Sequence, residues 1–140
     1  MPPEEIVIAA DKVTSHFGEW PHFHDMEVVS VALDRRGPDG PSAELTVFAW
    51  SYTGRLTPTG HFEQQLHALI RFRCEAIRDN NLEGFNNQNV LDSLEFSSRG
   101  EVVRITLPSI YGVGGFIDCT RVQVLDVTRA TSRGERVGEG

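Results

Sequence analysis

Apolar and polar residues alternate along several stretches of this chain, most clearly from Leu66 to Glu75. There Leu66, Ala68, Ile70, Phe72 and Cys74 interleave with His67, Leu69, Arg71, Arg73 and Glu75. An α-helix would scatter the two sets around its axis, whereas a strand turns one set inward and the other mostly toward water. Upstream, MEVVSVALDR is rich in β-branched residues and sets Val29, Val31 and Leu33 at alternate positions. After the turn-forming GPDGP, AELTVFAWSY places Leu45, Val47 and Ala49 on one side and Phe48, Trp50 and Tyr52 on the other. Two such runs joined by a Gly/Pro/Asp loop predict a hairpin. Bulk on both faces of its second strand predicts a central position in a sheet, or a helix over the second face.

Beyond this region RDNNLEGFNNQN breaks the alternation with five asparagines, and strand-like sequence resumes in SLEF, EVVRITLP and FIDCTRVQVLDVTRA. Near the N-terminus, residues 9–17 predict one short helix, with Val13 and Phe17 four apart on one face and Gly18 and Pro21 stopping it. Short connections favour antiparallel neighbours, since a parallel crossover needs about a dozen residues or more. The expected fold is therefore α+β and mainly β. It is a curled or two-layer antiparallel sheet of about six or seven strands with the short helix across one face or end. Residues 1–130 are expected to form a single globular domain. The tail 131–140, TSRGERVGEG, has little to bury and is expected to be disordered.

Length and composition fit this picture. A chain of 140 residues, 39% hydrophobic and 24% charged, can bury a core without metal or disulfide staples. Its two cysteines, Cys74 and Cys119, lie in apolar surroundings without metal-ligand spacing and read as buried free thiols. The segment MPPEEIVIAADK lacks the basic start and long apolar core of a secretory signal, and no later run is long enough to span a bilayer. The expectation is a cytoplasmic protein with no membrane partner. Thirteen basic against 20 acidic side chains give a net charge of −7, which repels phosphate backbones and argues against nucleic acid as a partner. Acidic charge either steers a basic partner or simply aids solubility.

Three motifs invite a chemical reading. In Trp20–Asp25, WPHFHD, an extended backbone would turn His22 and His24 the same way, with Asp25 to complete or orient a metal site. Against this stands a structural role, with Trp20 and Phe23 anchoring a loop while His24 and Asp25 satisfy backbone groups. A His–Asp pair also suggests half of a catalytic triad, but there is no GxSxG elbow and neither cysteine has a catalytic context. The glycines of YGVGG, Tyr111–Gly115, have strand-like sequence on both sides and predict a turn or bulge rather than a phosphate loop. GFNNQNV, from Gly84, concentrates amides that either clamp irregular backbone or present an adaptable polar surface. Trp50, Arg71 and Arg73 are candidate partner-binding residues, since Trp and Arg are common in interface hot spots. No cofactor is expected, and enzyme activity is not. The residues leave the oligomeric state open.

WPHFHDMEVVSV, GFNNQNVL and YGVGGFIDC, read in order, resemble the immunity protein 50 family, found beside bacterial polymorphic toxins. The resemblance covers about residues 17–125. An aromatic, Trp20, precedes a Phe-His-Asp unit, Phe23, His24 and Asp25; Gly84, Phe85, Asn86, Gln88 and Asn89 match a Gly-Phe-Asn-x-Gln-Asn unit. The resemblance implies a non-catalytic protein that binds and neutralises a cognate protein toxin, with these residues acting as fold determinants where strands begin. The alternative reading is a small-molecule or metal-binding, even hydrolytic, domain centred on His22, His24 and Asp25.

Overall fold

A computed structural model of the chain describes residues 1–137. The helix foreseen near the N-terminus is α2 (Asp11–Phe17), preceded by a single turn, α1 (Pro3–Ile6). Val13 and Phe17 are the buried residues of α2, and Gly18 ends it at φ 84°, donating its N–H to Thr14 O at 2.8 Å. That left-handed stop suits glycine, which has no Cβ to clash.

Ten strands follow among the described residues: β1 (Glu27–Asp34), β2 (Ser42–Leu56), β3 (Phe62–Glu75), β4 (Asp79–Glu83), β5 (Val90–Leu91), β6 (Glu95–Arg99), β7 (Val102–Leu107), β8 (Ser109–Tyr111), β9 (Gly114–Cys119) and β10 (Arg121–Arg129). They form two antiparallel sheets, one of order β10-β3-β2-β1-β5-β8 and one of order β4-β9-β7-β6. The bulky strand β2 lies centrally, between β3 and β1. The count exceeds the six or seven expected because β4, β5 and β8 are short or polar. β4 reads Asp-Asn-Asn-Leu-Glu on a sheet edge, with almost nothing to bury and so no alternation to detect.

One core joins both sheets and α2. Leu45, Val47, Ala68, Ile70, Phe72 and Cys74 of the larger sheet are fully buried together with Ile105, Ile117 and Cys119 of the smaller and Val13 of the helix. The alternation of β3 holds from Ala68 onward and fails at Leu66, which is 46% exposed at φ 56°. Between the pairs Ala49↔Ala68 and Ser51↔Gln65, β3 carries one more residue than β2, a bulge that turns Leu66 outward. Beyond it β2 and β3 pair only with each other, forming a two-stranded arm that ends at Leu56↔Phe62.

Segments outside the strands protect the sheet. Ile8 bridges β10, with its N–H on Val122 O and its C=O receiving the Val124 N–H, both at 2.9 Å. Residues 131–137, expected to be loose, fold back through an Ala130–Arg136 bridge, and the Val137 N–H reaches Arg129 O at 3.0 Å. Gly134 approaches the Phe48 ring so closely that a Cβ there would sit 3.4 Å from it. The rest of the expected tail, 138–140, lies outside the described residues. No described helix is long and apolar enough to cross a membrane.

Cys74 and Cys119 are unbonded and fully buried, facing each other from the two sheets. The hydrogen bond to Cys119 and burial push the Cys74 thiol up, away from the reactive thiolate. Because both are fully buried, both thiols should resist a thiol reagent in the folded protein and react at once in denaturant. Fast modification under native conditions would contradict the packing.

Candidate functional site

The WPHFHD segment is a turn, not an extended strand. Phe23 and Asp25 stand at φ 63° and 64°, and these left-handed residues destroy the geometry that would have aimed His22 and His24 alike. His22 instead stacks on Tyr52, with centroids 5.8 Å apart, and its Nδ1 accepts the His24 N–H at 3.0 Å. His24 Nδ1 lies 3.0 Å from Asp92 O, and its Nε2 lies 3.5 Å from an Asp25 carboxylate oxygen. Among the described residues no three His, Cys, Asp or Glu side chains form a group that could hold a metal ion. Phe23 is fully buried beneath Trp20, which meets Phe23, Phe72 and Phe96 edge-on at 6.0, 6.4 and 5.7 Å.

The Asp92 backbone hydrogen bond, helped by the Asp25 and Asp92 carboxylates, raises the His24 pKa above its ordinary value. A group raised on folding stabilises fully below its unfolded pKa, and that contribution is lost as pH climbs through the higher folded one. The difference in melting temperature between wild type and His24→Gln should thus shrink as pH rises from about 6 toward about 9. A difference that is constant, or that grows with pH, would contradict this assignment.

In GFNNQN the amides clamp backbone. Asn89 is 3% exposed; its Oδ1 accepts the N–H groups of Asn86 and Val113, both at 3.0 Å, and its Nδ2 donates to Asn86 O at 2.7 Å. Asn86 donates from Nδ2 to Gly84 O at 2.9 Å and accepts the Gln88 N–H at 2.8 Å. The third segment closes on the second. At Gly112, φ 75°, a Cβ would fall 2.3 Å from Gln88 O and 2.5 Å from Asn89 Oδ1. Only glycine fits there.

These segments, far apart in sequence, meet along one end of the larger sheet. The Asp25 N–H donates to Leu91 O at 2.9 Å, the Leu91 N–H to Met26 O at 2.8 Å, and the Val28 N–H to Asn89 O at 2.9 Å. On the other side Val90 pairs with Tyr111. β5, two residues long, is thus threaded between β1 and β8, held by the turn, the amide clamp and Gly112.

The other candidates lie elsewhere and are occupied. Arg71 grips Asp126 through Nε and Nη2, at 3.0 and 2.6 Å, and reaches Glu44 at 3.3 Å, contacts that raise its pKa further. Arg73 lies 3.6 Å from Glu75, which also receives Arg121 at 2.6 Å. Trp50 is only 7% exposed, edge-on to Phe48 at 5.3 Å, with its Nε1 buried and without a hydrogen-bond partner. It is packed, not offered to a partner as its residue type had suggested. Exposed large apolar side chains include Leu56, Phe62 and Leu66 on the arm, Phe85, Ile110 and Tyr111 beside the amide clamp, and Val29 and Leu33 on β1. The sequence signal for the second group was an aromatic set among glycines and asparagines, where no core strand calls for one.

Residues 9–130 match the family model described as Immunity protein 50. The chain belongs to the immunity protein 50 family. The match runs from the start of α2 to the end of β10 and takes in all three converging segments. In this family member, then, Trp20, Phe23, His24, Asp25, Gly84, Asn86 and Asn89 sit where they fix turns and strand starts, whereas Phe85 and Gln88 face solvent. No curated protein and no solved structure matches the chain.

Proposed function

We propose that this chain is a bacterial immunity protein that binds a cognate protein toxin and neutralises it by occupying its surface, without catalysis or cofactor. The observation that carries this reading is family membership over residues 9–130. The geometry supports it in two ways. The side chains of His24, Asn86 and Asn89 bond backbone groups, which supports a role in holding the fold. Among the exposed large apolar side chains, two groups cluster, one on a clamped loop and one on a projecting arm. Apolar groups clustered at a surface mark protein-binding faces more often than chance. We further propose that it resides in the cytoplasm of a cell carrying a polymorphic toxin system, where the toxin would act.

The test is survival. The C-terminal domain of the large exported protein encoded beside this chain should arrest growth when produced alone inside a bacterium. Co-production of this chain should restore growth, and a version truncated through β5 should not. Arrest that persists despite abundant folded chain, with every such neighbouring domain, would remove the proposal.

A further inference from the structure

The two stretches that build the end of the molecule around β5 carry charge of one sign. Residues 79–98 contain Asp79, Glu83, Asp92 and Glu95 and no Lys, Arg or His; residues 105–120 contain Asp118 and no cation either. All 13 basic side chains therefore lie outside both stretches. Asp118 is neutralised by Arg104 at 2.7 Å, and Asp92 lies 3.3 Å from His24, but Glu83 has no such partner among the described residues.

Within this acidic end stand Phe85, Ile110 and Tyr111, 51%, 40% and 59% exposed. Gly84 and Gly112 bring them to one place: a Cβ on Gly84 would lie 3.0 Å from Gly112 O, so Phe85 and Tyr111 flank the same backbone contact. The edge strands β4 and β8 also end here, each paired on one side only, beside a groove of about 440 Å³ lined by Asn81, Glu83, Gly84, Gly112, Gly114 and Gly115. Unpaired strand edges offer N–H and C=O groups to a partner's main chain. The loop carrying Phe85 is held by the Asn86 and Asn89 bonds, so little freedom is lost when it is covered.

We infer that this face, with Phe85 and Tyr111 as its anchors and Glu83 on its rim, is the docking site for a basic protein surface, that of the toxin. This rests on the proposed function above and adds its location and the sign of the partner's charge. The arm tip is the competing surface. Its apolar pair Leu56 and Phe62 is flanked by Arg55 and Glu63, which neutralise each other at 3.0 Å, so it carries no field to select a basic partner. Complementary charge on a rim speeds encounter and selects among partners, while buried aromatic anchors set the lifetime of the complex.

The experiment is calorimetric titration of the full chain with the purified C-terminal domain of the neighbouring exported protein. Five variants are compared with wild type: Phe85→Ser, Tyr111→Ser, Glu83→Lys, and, as controls on the arm, Leu56→Ser and Phe62→Ser. All five positions are exposed, and unchanged melting curves would certify folding. Phe85→Ser or Tyr111→Ser should weaken binding by about 30-fold or more, as hot-spot truncations do. Glu83→Lys should weaken it less and flatten its dependence on salt, and the arm variants should stay within about threefold of wild type. Hydrogen exchange on the wild-type complex should slow at residues 84–88 and 109–113. Tight wild-type binding lost only in the arm variants, with exchange unchanged at the acidic end, would overturn this location yet leave the proposed function standing. Absence of wild-type binding to every such domain would overturn both.

Discussion

Replacing Phe23 by Ala is expected to destabilise the protein by about 3–5 kcal/mol, the range for removing a fully buried aromatic ring. Phe23 is completely enclosed and lies against Trp20 and Phe72. It also holds a left-handed backbone, φ 63°, that a bulky residue adopts only at a cost of roughly 1–3 kcal/mol. The ring's burial offsets that strain; without the ring, the strain stays and a cavity is added. Chemical denaturation of wild type and Phe23→Ala measures the difference. A loss below about 1 kcal/mol would mean that the ring is not a core element.

The second large effect is expected at Asn89. In Asn89→Ala, the N–H groups of Asn86 and Val113 lose their acceptor, and Asn86 O loses its donor. Leaving such groups unpaired in a largely buried site should cost roughly 2–4 kcal/mol. The damage should spread along β5, since Asn89 ties the loop before that strand to the turn before β9. Amide exchange at Val28, Leu91 and Val113 should accelerate well before global unfolding. If Asn89→Asp matched Asn89→Ala in stability and exchange, the two accepted hydrogen bonds would not be what holds this junction together.

What the sequence reveals and conceals follows from range. Val13 and Phe17, and the alternation from Ala68 to Cys74, are local patterns with large apolar side chains, and both lie where periodicity put them. The central place of β2 followed from bulk on both its faces. By contrast β4 is polar and β5 has two residues, so neither leaves a period to detect. Leu66 fits the alternation of β3 but is turned out by a bulge whose positive φ no residue type announced. The same holds for the turn at Phe23 and Asp25, where neither residue is a glycine. Extended geometry was the natural reading for His22 and His24, and two left-handed residues cancel it.

The site was legible in its parts and hidden in its assembly. The motif residues were visible one segment at a time, and a clamping role for the amides was among the readings. That Asp25 meets Leu91 and Asn89 meets Val113 depends on contacts between residues 66 and 24 positions apart, which no local pattern encodes. Trp50 illustrates the converse. Its residue type makes it an interface candidate, but Phe48 and His67 pack against it and bury it.

The central claim, neutralisation by binding, is tested most directly by titrating the purified toxin domain's own activity with this chain. The account predicts that activity falls linearly and reaches background at one chain per toxin molecule, with both proteins recovered intact. Activity that persists at several-fold excess of folded chain, or a loss accompanied by covalent change in the toxin, would contradict it.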